Sequence, residues 1–252
     1  MENVTYGWGL PPNVSTYGGA IDQLIHVLHW FMLALFVGWG LFLLYCLIRF
    51  RAREGHKASY ESLKTKFPKY LEVAVALFEA ALLVGISYPV WSKFRYQLPD
   101  EKDAVVVHVV AQQFVWNIHY PGLDGVFGKT DVKNVSDSNP IGLDMSDPAS
   151  KDDVVTMNQL HFPVNKPVIA KITSKDVIHS FFIPVLRVKH DAIPGMIFPI
   201  WWQAKETGQF EIACAQLCGN GHTTMKGYVT IESQESYDAW IKEQVAALQP
   251  QP

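Results

Sequence analysis

The 252-residue sequence predicts a chain in two parts: a hairpin of two membrane-spanning helices, then an all-β sandwich or barrel. Three observations lead there. Hydrophobic residues make up 49% of the chain and charged residues only 18%, fewer than soluble domains usually carry. The apolar excess is concentrated before residue 92. Beyond it, short β-branched and aromatic runs are broken by Gly, Pro and Asn, as in many short strands joined by turns. The net charge of −3 disfavours a nucleic-acid binder, which normally carries a basic surface. Three cysteines are too few for a disulfide framework.

Residues 1–23 contain no Lys or Arg and read as an outer N-terminal segment. Residues 24–48 contain no charged side chain, and 25 residues suffice to cross about 30 Å of hydrocarbon. This stretch has no basic leader and is too long for a signal peptide. A second apolar run over 73–91 carries one charge, Glu79, and completes a hairpin over 24–92. The connecting loop, 49–69, holds Arg49, Arg51, Arg53, Lys57, Lys64, Lys66 and Lys69 against Glu54 and Glu61. Basic loops stay on the cytoplasmic side, so both termini and the following domain are expected outside, which for a bacterial source is the periplasmic face of the inner membrane.

The outer domain spans 93–248. Strands are expected over 104–110, 114–120, 168–173, 178–183, 196–202, 209–214 and 228–231, paired antiparallel. Residues 121–153, with seven aspartates, read as a long polar insertion between strands. The pattern then changes period, predicting a closing helix over 233–248 and a tail at 249–252. From Lys93 onward 14 basic residues face 18 acidic ones, a net of −4 that suits a basic protein partner.

One segment carries the chemistry: Cys214-Ala-Gln-Leu-Cys218-Gly-Asn-Gly-His222-Thr-Thr-Met225. His179 lies upstream on an expected strand. Thiolate, thioether and imidazole together suit copper that cycles between Cu(I) and Cu(II). One Cys would point to a mononuclear site. A second Cys four residues on allows two thiolates to bridge two copper ions, with one His on each. Met225 and a backbone carbonyl of the loop would complete the set. Three plainer readings stay open. The pair could form a disulfide on the oxidising side of the membrane. It could hold zinc with the two histidines, where Met225 has no part. It could simply pack in the core. Cys46, within the first span, reads as a small hydrophobe.

These residues resemble subunit II of the heme–copper class of cytochrome c oxidases. The likeness rests on the C-x-x-x-C-x-x-x-H-x-x-M loop, on VIHSFFIPVLRVKHDAIPGM around His179, and on QFVWNIHYP. It implies a cupredoxin-like Greek-key barrel holding the dinuclear copper centre CuA. The ligands it implies are His179, Cys214, Cys218, His222, Met225 and the backbone carbonyl of Gln216. It also implies a role: accepting electrons from cytochrome c and passing them to heme in subunit I. The assembled respiratory complex, with its other oxidase subunits, then reduces oxygen and translocates protons, and this chain alone reduces none. The same motif would serve a CuA subunit of a nitric-oxide-reducing relative. A metal-free quinol-oxidase subunit is the other alternative, against which the intact cysteine pair argues. The two spans likewise argue against a copper-delivery protein.

Four positions depart from the family pattern. Gln216 replaces a Glu that helps bind magnesium beside subunit I, and a neutral amide is a poorer ligand for a hard cation, which disfavours magnesium here. Phe114 stands where the family commonly has the Trp that receives electrons; Trp116 is retained two residues on. On one strand the two would face the same side, so both are candidates for electron uptake, with core packing the alternative for each. Met196 replaces an Arg that contacts heme propionates, and Glu79 replaces a Pro. Glu72, at the cytoplasmic mouth of the second span, occupies the position that the resemblance assigns to the entrance of a proton path into subunit I. Glu79 lies two helical turns further on nearly the same face. An acid within a span faces protein or a water-filled path, so Glu79 either extends the proton path or pairs with a neighbouring subunit. An ordinary interfacial acid is the alternative for Glu72.

Overall fold

The computed structural model describes residues 9–55, 57–58, 60–61 and 64–248. The expected tail at 249–252, the first eight residues of the N-terminal segment and four positions of the basic loop lie outside the described residues. The chain divides into two units. One is Ala20–Lys93, and the other joins the residues up to Gly19 with those from Phe94 on.

Helix α1 runs Gly18–Arg49, six residues longer at its start than the apolar run alone marks. Helix α2 runs Phe67–Leu82 with Pro68 in its first turn, where a missing N–H costs nothing. A π-helical turn, Leu83–Ser87, leads into α3, Tyr88–Tyr96. Pro89 explains the widened turn: it cannot donate to the turn before it, and its ring crowds the carbonyl four residues back. Together these segments give two helices, of 32 and 30 residues, long and apolar enough to cross a membrane. Their large apolar side chains, such as Trp30 and Phe36, are exposed along the surface, unlike those of a soluble core helix. Within this unit the Phe31 and Phe78 rings meet at 5.0 Å.

The second unit is a sandwich of two five-stranded sheets. The strands are β1 Val105–Gln112, β2 Val115–Tyr120, β3 Val154–Met157, β4 Gln159–Pro163, β5 Pro167–Ser174, β6 His179–Ile183, β7 Val188–Ala192, β8 Phe198–Gln203, β9 Gly208–Cys214 and β10 Lys226–Glu232. One sheet has the order β3-β2-β1-β5-β8 and the other β4-β10-β9-β6-β7. Alternation along β1 shows how the core forms: Val105, Val107, Val109 and Ala111 point inward and are buried. Trp116, Tyr120, Phe162, Phe181 and Trp202 fill the space between the sheets. Residues of the N-terminal segment add to this unit, with Val14 N–H donating to the Val185 carbonyl and Thr16 N–H to that of Gln203.

Three expectations are corrected. The pairing is mixed, because β1–β5 and β4–β10 run parallel. Alternation reports which face is buried and carries no information on a partner's direction. Strands β3, β4 and β7 were not expected. Only Asn158 separates β3 from β4, with no Gly or Pro to mark the break. β7 carries Lys189 and Asp191 along a sheet edge, where charge is common and the strand signal weak. Phe114 also falls outside β2, which begins at Val115.

The closing helix α4 runs Gln234–Ala247, capped by Ser233, whose hydroxyl accepts from Ser236 N–H. Ile241 and Val245 bury its inner face, and Trp240 stacks on His161 at 4.2 Å. Residues 121–153 form an ordered pad of turns over the outer side of β1 and β2. The Asp153 carboxylate accepts from Gly128 N–H and pairs with His119 at 2.7 Å, and Phe127 stacks on His108 at 3.8 Å.

The pad makes a pH prediction. Burial, aided by the charges of His119 and Lys171, lowers the pKa of His108 from 6.5 to about 4. Between these values the unfolded chain binds a proton that the folded chain does not. The outer domain should therefore lose stability as pH falls from about 6.5 towards 4, and His108→Gln should flatten that dependence. Thermal unfolding across this range is the measurement, and an unchanged slope in the variant would contradict it.

Candidate metal centre

Adjacent strands bring the predicted ligands together. β6 begins at His179 and β9 ends at Cys214, and Phe181 of β6 pairs in register with Cys214. The loop from Cys214 to β10 is tied back at both ends: Cys214 N–H donates to the Met225 carbonyl and Ala215 N–H to that of Ser180. A 3-10 turn at His222–Thr224 then aims Met225 inward, where it is buried.

The donor atoms converge. Cys214 Sγ lies 3.7 Å from Cys218 Sγ, and both cysteines are free thiols. Cys218 Sγ is 3.6 Å from His222 Nδ1 and 3.8 Å from Met225 Sδ. His179 Nδ1 approaches the same Met225 sulfur at 3.2 Å, and the Gln216 carbonyl lies 3.2 Å from Cys214 Sγ. The ligand atoms of His179, Cys214 and Cys218 fall within 4.8 Å of one another; no other His, Cys, Asp or Glu group of that size converges so closely among the described residues. Both imidazoles turn Nδ1 toward the sulfurs. This set of two thiols, two imidazoles, a thioether and a carbonyl fits a soft, redox-active metal, and the thioether has no use in a zinc site.

The surroundings orient these ligands. Asp176 accepts from His179 Nε2 at 2.8 Å, which leaves Nδ1 facing the sulfurs. Burial opposes charge on Asp176, but the N–H of Gln113, His179 and the N–H of Val177 outweigh it and hold its carboxyl below the usual range. Sequence reasoning did not single out Asp176, although its position three residues before His179 was a signal. Leu217 was also passed over; it lies in the loop with 77% of its surface exposed.

The two aromatic candidates separate. Phe114 lies half-buried against the loop. A Cβ at Gly221 would come within 2.5 Å of its ring and one at Gly219 within 3.1 Å, so the glycines make room for it. Gln113 Nε2 fixes the same stretch by donating to the Cys218 carbonyl. Trp116 is fully buried, with its ring edge-on to His179 at 6.1 Å. It therefore offers no surface to a donor, and the expected shared face is absent because Phe114 precedes the strand. Gln216 is exposed. Glu72 and Glu79 both lie exposed on α2, in the other unit.

Burial and the neighbouring Cys214 thiol push the Cys218 thiol up from 9.0 to about 11. Near pH 8 this leaves on the order of a hundredfold less thiolate than an ordinary cysteine, partly offset by the stronger nucleophilicity of a more basic thiolate. In the metal-free chain Cys218 should alkylate about tenfold more slowly than an ordinary exposed cysteine, and bound metal should protect both thiols. Mass spectrometry of time-resolved alkylation reads this; rapid modification of Cys218 would contradict it.

The chain is similar to known proteins along most of its length. Residues 105–233 match the family described as cytochrome c oxidase subunit II, periplasmic domain. The alternative cytochrome c oxidase subunit 2 of Bradyrhizobium diazoefficiens is 37% identical over 238 residues, covering 94% of this chain and 84% of the relative. Cytochrome c oxidase subunit 2 of Cereibacter sphaeroides is 29% identical over 257 residues, covering 94% and 80%. Among solved structures, the periplasmic domain of subunit II of cytochrome oxidase from Bradyrhizobium japonicum aligns with a TM-score of 0.45 and 26% identity, over 61% of this chain and all of that one.

Proposed function

The chain belongs to the cytochrome c oxidase subunit II family, and from that premise we propose that it is the electron-accepting subunit of its oxidase, with a dinuclear CuA centre. The observation that carries this reading is the convergence of the Cys214 and Cys218 thiols with His179, His222, Met225 and the Gln216 carbonyl. His179, Cys214, Cys218, His222, Met225 and the Gln216 carbonyl would hold the copper, which would supply one-electron transfer with little change of geometry. The protein's part is to hold the ligands in place. Asp176 fixes the His179 ring, Gln113 anchors the loop at Cys218, and the buried thioether of Met225 closes the inner side. Electrons pass onward to heme in subunit I. The exposed Gln216 side chain is a neutral amide, a weak ligand for magnesium.

Phe114 and Leu217 give the loop an apolar contact for the donor. The outer domain's excess of carboxylates steers a basic cytochrome c toward it. In this reading the basic loop between the helices is cytoplasmic, and the copper domain and both termini face outward. Glu72 opens a proton path into subunit I, and Glu79 lies along the same helix.

Stopped-flow reduction by a basic cytochrome c tests the electron role. The second-order rate should fall as salt rises, because exposed charges are screened beyond about 8 Å at physiological ionic strength. Phe114→Ala should slow it severalfold with the copper spectrum intact. A rate that rises with salt, or one indifferent to this variant, would place the contact elsewhere. For the proton role, Glu72→Ala should slow turnover of the assembled complex while heme and copper contents stay normal. Full turnover in that variant would leave Glu72 an interfacial acid.

A further inference from the structure

Asn158 is not among the candidate metal ligands, yet the supports behind two of them meet on it. Strand β3 ends at Met157 in one sheet and β4 begins at Gln159 in the other, so this single residue carries the chain across the sandwich. It makes the crossing in the left-handed region, at φ 59, which Asn tolerates better than most side chains. Its N–H donates to the Trp116 carbonyl at 2.7 Å, and its side-chain oxygen accepts from the Trp116 N–H at 2.8 Å. Its own carbonyl accepts from Tyr228 N–H of β10 at 2.7 Å. One residue thus binds both backbone groups of Trp116 and the strand that follows Met225.

Trp116 transmits that hold. Its buried ring stands edge-on to His179 at 6.1 Å and to Phe181 at 5.3 Å, forming a wall beside the imidazole. Gly227, two residues beyond Met225, lies against the same pair: a Cβ there would sit 3.3 Å from both the Asn158 carbonyl oxygen and Trp116 Cδ1. A close-packed interior transmits small displacements, so a shift of Trp116 reaches both ligands.

We propose that Asn158 is a positioning residue for the metal centre, setting the orientation of the His179 ring and the approach of Met225 through Trp116 and β10. This rests on the reading of His179 and Met225 as copper ligands. The side-chain oxygen is the group that matters, because it alone holds the Trp116 N–H. Two substitutions isolate it. Asn158→Gly keeps the left-handed backbone and deletes the acceptor. Asn158→Asp keeps both the acceptor and the tolerance for that backbone.

The test uses the full chain in detergent, metal-free and then loaded with copper. The readouts are the NMR signals of the His179 ring in both forms and the affinity for copper. Asn158→Gly should shift the His179 signals in both forms and weaken copper binding by up to about tenfold, the lower range for a change behind a ligand. Asn158→Asp should restore both. A folded Asn158→Gly chain with unaltered His179 signals and copper affinity would overturn the inference and leave the copper reading standing, reducing Asn158 to a turn residue. Failure of Asn158→Asp to restore the signals would overturn it too, by removing the acceptor as the link. A wild-type chain that takes up no copper would overturn both readings.

Discussion

Two thiols 3.7 Å apart, unbonded to each other and one of them buried, are the constraint around which the outer domain is arranged. Left alone they gain only a weak S–H···S hydrogen bond from that proximity. Burial disfavours the thiolate of Cys218, and the Cys214 thiol beside it raises its pKa further. A cation reverses the balance, since thiolates are what a soft metal binds and its charge offsets theirs. The surrounding structure therefore reads as preparation for a cation. Neighbouring strands supply His179 and Cys214, backbone hydrogen bonds close the loop from both ends, and Asp176 turns the His179 ring. For the proposed electron-transfer role, ligands held in advance keep the rearrangement small.

The same rigidity has an outward consequence. Glycines at 219 and 221 let the Phe114 ring lie against the loop that carries four of the candidate side-chain ligands. Leu217, in the same loop, is exposed to solvent. Carboxylates outnumber basic groups in the domain as a whole, which suits the basic partner of the proposed function.

The helical hairpin was legible in the sequence because soluble helices seldom run so long without a charged face. The ligand loop was legible because soft donors at such spacing are rare by accident. The legible strands were those with an alternating or aromatic pattern between turn residues. β3 and β4 were hidden, because the break between them is Asn158 in a left-handed conformation and not a Gly or Pro. The parallel pairs were hidden because partner direction depends on the path of the whole chain. Trp116 lies on its expected strand and takes the core-packing alternative; the face it was expected to share with Phe114 is missing because β2 starts at Val115. Asp176 and Asn158 act through hydrogen bonds to other residues, which a ligand motif does not display.

The central claim is that the Cys214–Met225 loop and His179 hold two copper ions as one electronic unit. Copper content of the purified full chain, measured together with its electron paramagnetic resonance spectrum, tests it most directly. Two copper ions per chain are expected, with a hyperfine pattern from one unpaired electron shared equally by two copper nuclei, lost on Cys214→Ser or Cys218→Ser. One copper per chain, or a spectrum that survives both substitutions, would contradict it.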